Sequence, residues 1–156
     1  MALASEIVPL DVLFIEDSPV DAKIFQGILS KSRYFECTVS HAKSMAEAAG
    51  YLQSHEYDII VTDLGLPDSN GCLTVVNIRK EAESAPILVL TGDDGENRAI
   101  NMLRVGAQDY LVKGKYDPAS LDRAIRYAME RQKLFHDYQD TIEKLRRANE
   151  RHEAAV

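Results

Sequence analysis

The chain has 156 residues, a formal net charge of −7 at pH 7, 46% hydrophobic residues and 28% charged residues. These values are typical of one folded domain with a short extension, and they exclude a wholly disordered chain. The acidic balance argues against direct nucleic-acid binding, and no apolar run reaches the roughly 20 residues that a membrane-spanning helix needs. The N-terminal segment lacks the pattern of a signal peptide, so we expect a cytoplasmic protein with no membrane partner.

Apolar runs alternate with helical patterns along the chain. The predicted strands are 11–15, 36–41, 58–62, 86–90 and 109–112, and the predicted helices are 18–32, 43–55, 70–83, 94–105 and 117 onward. Ser18 before Pro19 and Ser44 before the second helix are typical N-cap residues. Gly106 is typical of a residue that ends a helix, here the fourth.

The alternation predicts the fold class. The runs VLFI, DIIV and ILVL are continuously apolar, which is typical of strands covered on both faces. We therefore predict an α/β fold, a flavodoxin-like doubly wound sheet of five parallel strands in the order 2-1-3-4-5, with an extended C-terminal helix. The predicted domain spans 1–130 and the helical extension spans 131–156. In such sheets, functional residues collect at the carboxyl ends of the strands.

Polar residues follow four of these strands. Glu16 and Asp17 follow the first strand, Asp63 the third, Thr91 the fourth and Lys113 the fifth. Crowded carboxylates repel one another unless a cation neutralises them, and an open site of oxygen ligands suits Mg²⁺. This pattern indicates phosphoryl transfer, with Asp63 as nucleophile and the other two acids as metal ligands, directly or through water. The lysine and the threonine hydroxyl would stabilise the transferring oxygens.

Each of these residues also has an ordinary structural explanation. The pair Glu16 and Asp17 could complement the dipole of the first helix, and a lone aspartate such as Asp63 could cap a helix. Thr91 could cap the fourth helix, and Lys113 could be a solvated surface lysine. Their joint location at one edge of the predicted sheet favours the site.

Four segments together resemble the receiver domains of two-component response regulators. They are VLFIEDSPVD, IIVTDLGLPDSNG, PILVLTGDDG and GAQDYLVKG, and the resemblance covers about residues 10–130. It implies that Asp63 is phosphorylated by a sensor histidine kinase or a histidine phosphotransfer protein. It also implies that Mg²⁺ is held by Glu16, Asp17, Asp63 and the backbone carbonyl of Gly65.

The resemblance further implies roles in phosphate contact and switching. Thr91 and Lys113 would contact the phosphoryl oxygens, and Thr91 and Tyr110 would form a conformational switch. A half-buried strand aromatic is an equally good interpretation of Tyr110. In the family the lysine usually precedes a proline across a cis bond, whereas here Lys113 precedes Gly114. Either the loop stores the roughly 2.5–4 kcal/mol of a cis non-proline bond, or Gly114 provides a trans path.

The helical pattern continues past the point where such a domain should end. A heptad register fits it, with Leu121, Ala128, Phe135, Ile142 and Asn149 at position a and Ala124, Arg131, Tyr138, Leu145 and His152 at position d. The pattern predicts a coiled coil and a possible homodimer. A solvated tail that frays in isolation is the alternative. The chain could lead into an output domain or act as a stand-alone regulator.

Other functions are also compatible with the fold. A phosphatase that uses an aspartyl phosphate usually has a second acid two residues after the nucleophile, and that position is Gly65. A nucleotide- or flavin-binding module would need a Gly-rich loop after the first strand, and EDSPVDAK has none. A degenerate receiver used only for dimerisation would not need a complete acidic pocket. We therefore expect a signalling switch that catalyses only its own phosphorylation and dephosphorylation, and not a metabolic enzyme.

Overall fold

A computed structural model describes residues 6–92 and 96–155 of the chain. Its strands are β1 Val8–Ile15, β2 Phe35–Ala42, β3 Ile59–Asp63, β4 Gly65–Leu66, β5 Ser69–Asn70, β6 Ile87–Thr91 and β7 Asp109–Val112. Its helices are α1 Pro19–Leu29, α2 Met45–Ser54, α3 Cys72–Glu81, α4 Glu96–Arg104 and α5 Pro118–Ala155.

The main sheet is parallel and has the order β2-β1-β3-β6-β7. The two-residue strands β4 and β5 form a separate antiparallel hairpin in the loop after β3. When this hairpin is set aside, the order is 2-1-3-4-5, so the predicted fold is confirmed. Parallel strands need crossover connections, and helices fill each of them.

Each face of the sheet is covered by a different set of helices. On one face, Phe14 of β1 stacks on Phe25 of α1 with ring centroids 4.2 Å apart, and Leu121 and Ile125 of α5 are fully buried beside them. On the other face, α2, α3 and α4 contribute buried side chains such as Ile78. Because the central strands lose water on both faces, their sequences are continuously apolar.

The structure contains the helix caps that were predicted from the sequence. The Ser18 hydroxyl accepts a hydrogen bond from Asp21 N, and the Ser44 hydroxyl accepts one from Glu47 N. Gly106 follows α4 with a φ of 118°, a conformation that glycine adopts without a steric penalty. The predictions for these three residues are confirmed.

Helix α5 is buried against the sheet in its first turns and exposed to solvent in its later turns. Leu121, Ala124 and Ala128 are buried against the chain's own sheet, so the predicted intermolecular seam is wrong for the first two heptads. The apolar stripe of the helix was predicted correctly, but the sheet of the same chain covers it. The later apolar side chains Leu134, Phe135, Tyr138, Ile142 and Leu145 are exposed.

Between those two parts, α5 is held to the body by polar contacts. Arg131 donates to the carbonyl of Gln108 at 3.0 Å, and the buried Gln132 side chain hydrogen-bonds the Gln108 side chain. His136 Nε2 lies 3.4 Å from the Ser84 carbonyl. The helix thus contacts the body a few residues beyond the predicted boundary at 130. Within the described ranges, no helix is long and apolar enough to cross a membrane.

Candidate functional site

Three carboxylates converge at the carboxyl edge of the sheet. Glu16 and Asp17 follow β1, and Asp63 ends β3, which is the neighbour of β1. One carboxylate oxygen from each of the three lies within 4.8 Å of the other two. Glu16 is buried, Asp63 is partly buried and Asp17 is exposed, so the cluster opens to solvent on one side. The pairing of β1 with β3 accounts for this convergence of residues far apart in sequence.

Lys113 lies among these carboxylates. Its ammonium is 2.7 Å from Glu16 Oε1, 2.9 Å from Asp21 Oδ2 and 3.2 Å from Asp63 Oδ2. Its backbone N–H donates to the Thr91 carbonyl at 2.7 Å, which fixes the lysine next to the end of β6. Burial alone would lower the pKa of Lys113, but hydrogen bonds to Glu16 and Asp21 raise it above its ordinary value, so the ammonium stays charged.

Asp21 was not identified as a site residue in the sequence. It lies in the first turn of α1, where an acid is explained by the helix dipole alone. Its hydrogen bond to Lys113 lowers the pKa of its carboxyl. Asp17 precedes the N-cap Ser18 and lies outside α1, so no helical spacing in the sequence linked Asp21 to the site.

Asp63 is oriented from both sides. Its Oδ1 accepts a hydrogen bond from Leu64 N at 2.8 Å, and its Oδ2 faces the ammonium of Lys113. The side chain retains 16% exposure, so a molecule arriving from solvent can reach it. The Asp63 carboxylate is therefore both oriented and accessible from solvent.

The environment of Glu16 suits a bound cation. Its side chain is 1% exposed, and within the described part of the chain its Oε2 has no hydrogen-bond partner. Burial, together with the neighbouring Asp63, raises the pKa of Glu16 to about 8. A buried oxygen without a donor, in a cluster of acids that disfavours further negative charge, fits a divalent cation with hard oxygen ligands.

The two residues of the predicted switch lie on adjacent strands. Thr91 ends β6, is 6% exposed and pairs in register with Val112 of β7. Tyr110 is partly buried, pairs with Val89 and packs against the core on the α2, α3 and α4 side of the sheet. Both interpretations of Tyr110 agree with this location, so its switching role stays a prediction.

The two glycines of the site differ in conformation. Gly65 begins the hairpin, pairs with Asn70 and has open space where a Cβ would lie. Gly114 has a φ of 79°, and among the described residues no peptide bond is cis. Of the two alternatives for the lysine loop, the structure therefore has the trans path through a glycine in the left-handed region.

Histidine and cysteine contribute no side-chain atom to the acidic cluster of the described residues. His41 instead places its Nε2 2.7 Å from the Glu16 carbonyl and stacks on Phe14. Cys37 and Cys72 are both free thiols. These contacts support the backbone around Glu16 without adding a ligand.

Comparisons with known proteins identify the family. The family model for the response regulator receiver domain matches residues 12–126. This chain belongs to the response regulator receiver domain family. Its role is that of a phosphoacceptor module in two-component signalling.

Curated relatives of this receiver domain include transcriptional regulators. The transcriptional regulatory protein BasR of Escherichia coli is 35% identical over 106 residues, which cover 67% of this chain and 46% of BasR. The virulence transcriptional regulatory protein PhoP of Salmonella typhimurium is 40% identical over 102 residues, which cover 65% of this chain and 44% of PhoP. The receiver domain therefore spans less than half the length of either relative.

Solved structures agree with the fold. A Francisella response regulator receiver domain aligns with a TM-score of 0.65 and 27% identity, covering 78% of this chain and 98% of that one. The receiver domain of a sensor histidine kinase from Pseudomonas aeruginosa aligns with a TM-score of 0.67 and 25% identity, covering 79% of this chain and 99% of that one. The Pseudomonas structure has a magnesium ion coordinated in its active-site cleft.

Proposed function

We propose that Asp63 of this receiver domain accepts a phosphoryl group from a sensor histidine kinase or a histidine phosphotransfer protein. The observation that carries the proposal is the position of Asp63, whose Oδ2 lies 3.2 Å from the Lys113 ammonium beside the acidic cluster. An accessible carboxylate next to a fixed cation can approach a charged phosphoryl donor.

The transfer forms one bond and breaks another. An Asp63 oxygen attacks phosphorus, the bond between phosphorus and the donor imidazole nitrogen breaks, and that nitrogen keeps the electron pair and takes up a proton. Lys113 and the Thr91 hydroxyl stabilise the phosphoryl oxygens while charge redistributes over them. The hydrogen bond from Leu64 N to Asp63 Oδ1 keeps the other oxygen oriented.

Four groups would hold Mg²⁺ in this site: the carboxylates of Glu16, Asp17 and Asp63 and the backbone carbonyl of Gly65. The buried Oε2 of Glu16, for which residues 6–92 and 96–155 provide no hydrogen-bond partner, supports this assignment. When bound, the cation neutralises the crowded negative charge as the phosphoryl group arrives. Glu16 and Asp17 then serve to bind and orient rather than to react.

Phosphorylation would shift the domain between two conformations. Thr91 moves toward the phosphoryl group, and Tyr110 on the adjacent strand follows into the space that Thr91 leaves. Both are expected to move as a unit, because β6 and β7 are hydrogen-bonded neighbours. We propose that this receiver domain works as a cytoplasmic switch without direct nucleic-acid or membrane contact, and that it catalyses only its own phosphorylation and dephosphorylation.

The exposed end of α5 would join two copies of the chain. Phe135, Tyr138, Ile142 and Leu145 lie at alternating a and d positions and are exposed. An apolar stripe of this spacing is stabilised when a second helix covers it. The proposed partners are therefore a histidine kinase or phosphotransfer protein at the carboxyl edge and a second copy at α5.

The test is modification at Asp63. The purified protein is incubated with Mg²⁺ and acetyl phosphate, or with beryllofluoride, and the product is measured by intact mass or by ¹⁹F NMR. We expect the wild type to be modified and Asp63→Asn to be unmodified. Asp58→Asn is the matched control, because Asp58 directly precedes β3 and Asp63 ends it. This variant should behave like the wild type. Equal modification of the wild type and Asp63→Asn would overturn the proposal.

A further inference from the structure

We propose that Asp21 is a positioning residue for phosphoryl transfer, which holds the Lys113 ammonium in place through its carboxylate. This inference rests on the proposed function and adds a residue to it. The contact is an ion pair of 2.9 Å between Asp21 Oδ2 and Lys113 Nζ, across 92 positions of sequence. Asp21 touches the lysine and not the reacting atoms.

The loop that carries Lys113 needs a restraint on its side chain. Its backbone is anchored by the hydrogen bond to Thr91, but the next peptide bond is trans and leads into Gly114 with a φ of 79°. A lysine side chain is long and flexible, so a fixed backbone does not fix the ammonium. Side-chain partners must therefore determine where the charge lies.

Asp21 differs from the other two partners of Lys113. Glu16 and Asp63 both belong to the acidic cluster whose oxygens lie within 4.8 Å of one another, and Asp21 does not. A cation bound by that cluster would compete with Lys113 for Glu16 and Asp63. Asp21 would remain available to the lysine, because it lies on α1 outside the cluster.

The rigidity of Asp21 suits this role. Its backbone N–H is bound by the Ser18 hydroxyl at the N-cap, and it lies in a helical turn that packs on the sheet through Ala22 and Phe25. Its side chain is 40% exposed, so it is not needed to fill the core. The carboxylate thus provides a fixed anchor for a mobile cation.

The experiment compares Asp21→Asn, which removes the charge at nearly constant volume, with Asp21→Glu, which keeps it. At saturating Mg²⁺, single-turnover phosphorylation by acetyl phosphate is followed, and the side-chain amine of Lys113 is followed by ¹H–¹⁵N NMR before the phosphodonor is added. We expect the limiting rate of Asp21→Asn to fall roughly ten-fold, because small misplacements of a charge-stabilising group are costly. We expect its Lys113 signal to report greater mobility, and Asp21→Glu to recover most of both.

Glu47→Gln is the matched control, because Glu47 is also an acid in the first turn of its helix but has no contact with Lys113 in the described structure. It should leave the rate and the Lys113 signal unchanged. A wild-type rate and an unchanged Lys113 signal in Asp21→Asn would overturn the inference, as would an equal loss in Glu47→Gln. If the wild type is itself not modified at Asp63, the proposed function fails instead.

Discussion

Glu16 and Lys113 form an ion pair at the edge of the sheet that is buried on the carboxylate side. The ammonium lies 2.7 Å from a carboxylate that is almost fully buried. Removing water from two charges is costly, and the attraction between them repays this only with good geometry and further hydrogen bonds. Lys113 has such contacts, but one Glu16 oxygen has no hydrogen-bond partner among the residues that the structure describes. The proposed Mg²⁺ would give this oxygen a partner.

The first prediction concerns the pH dependence of stability through Glu16. Because burial raises the pKa of Glu16 from 4.5 to about 8, the folded protein holds this proton more tightly than the unfolded chain. This contribution is complete below about pH 4.5 and is lost as the pH rises toward 8. In metal-free buffer, the free energy of unfolding of the wild type relative to Glu16→Gln should fall over this window.

Urea denaturation with a chelator at a series of pH values measures this difference. Glu143→Gln, on the exposed end of α5, is the control, since ion pairs with Arg146 lower the pKa of Glu143. The difference in unfolding free energy between Glu143→Gln and the wild type should stay constant between about pH 5 and pH 8, because Glu143 is ionised throughout this range. A flat difference for Glu16→Gln as well would contradict the prediction.

The second prediction concerns Gly114. Its φ of 79° lies in the left-handed region, and a Cβ there would meet no atom within 4 Å. Gly114→Ala should therefore destabilise the fold by about 1 kcal/mol through backbone strain alone. Gly50→Ala, in the exposed part of α2, should stabilise it by about 0.5–1 kcal/mol, because its backbone is already helical. Thermal unfolding should show a lower Tm for Gly114→Ala and a higher Tm for Gly50→Ala than for the wild type.

At the scale of elements, Arg79 ties three segments together at the opposite end of the sheet. Its guanidinium donates to the carbonyls of Ala82, Glu83, Ala85 and Gly106 at 2.8–3.1 Å. Burial lowers the pKa of Arg79, yet this number of acceptors keeps the charged form satisfied. The end of α3, the start of β6 and the turn after α4 are thereby joined by one side chain.

The third prediction follows from this cluster of carbonyls. Arg79→Met should destabilise the fold by about 2–4 kcal/mol, because it removes the donor from several half-buried carbonyls. Its exposed neighbour Lys80 is the control, and Lys80→Met should change stability by less than about 0.5 kcal/mol. Chemical denaturation measures both, and similar small effects for the two variants would show that Arg79 is dispensable.

At the scale of the whole molecule, α5 connects the phosphoacceptor body to a surface far from it. Its 38 residues extend about 57 Å at 1.5 Å per residue. The first turns are part of the core, and the last turns expose apolar side chains among ion pairs such as Glu143 with Arg146. Exposed pairs of this kind contribute little stability, so the proposed dimer would depend on the apolar stripe.

The fourth prediction tests that stripe. Ile142→Glu places a charge at position a of the exposed heptads and should convert a homodimer into a monomer in sedimentation-velocity experiments. Lys144→Glu, at position c on the same turn, should leave the dimer intact. Asp63 lies outside α5, so Ile142→Glu should still be phosphorylated. A wild type that is monomeric at every concentration would contradict the proposed dimer.

The sequence by itself determined most of the fold and the acidic site. Continuous apolar strands and their spacing required a parallel sheet, and parallel strands bring their carboxyl ends to one edge. Glu16, Asp17, Asp63 and Lys113 could therefore be identified as neighbours before any distance was known. The caps at Ser18 and Ser44 were equally readable, because they depend on local hydrogen bonds.

Only the tertiary structure decided which partner each polar or apolar group meets. Asp21 is explained locally by a helix dipole, and its contact with Lys113 exists only because α1 and the loop after β7 meet in space. In the same way, Leu121 and Ala128 fit a heptad pattern, but they are buried against the sheet of their own chain and are not available to a second helix. A sequence pattern gives the face that a side chain occupies, whereas the surface opposite that face is set by long-range packing.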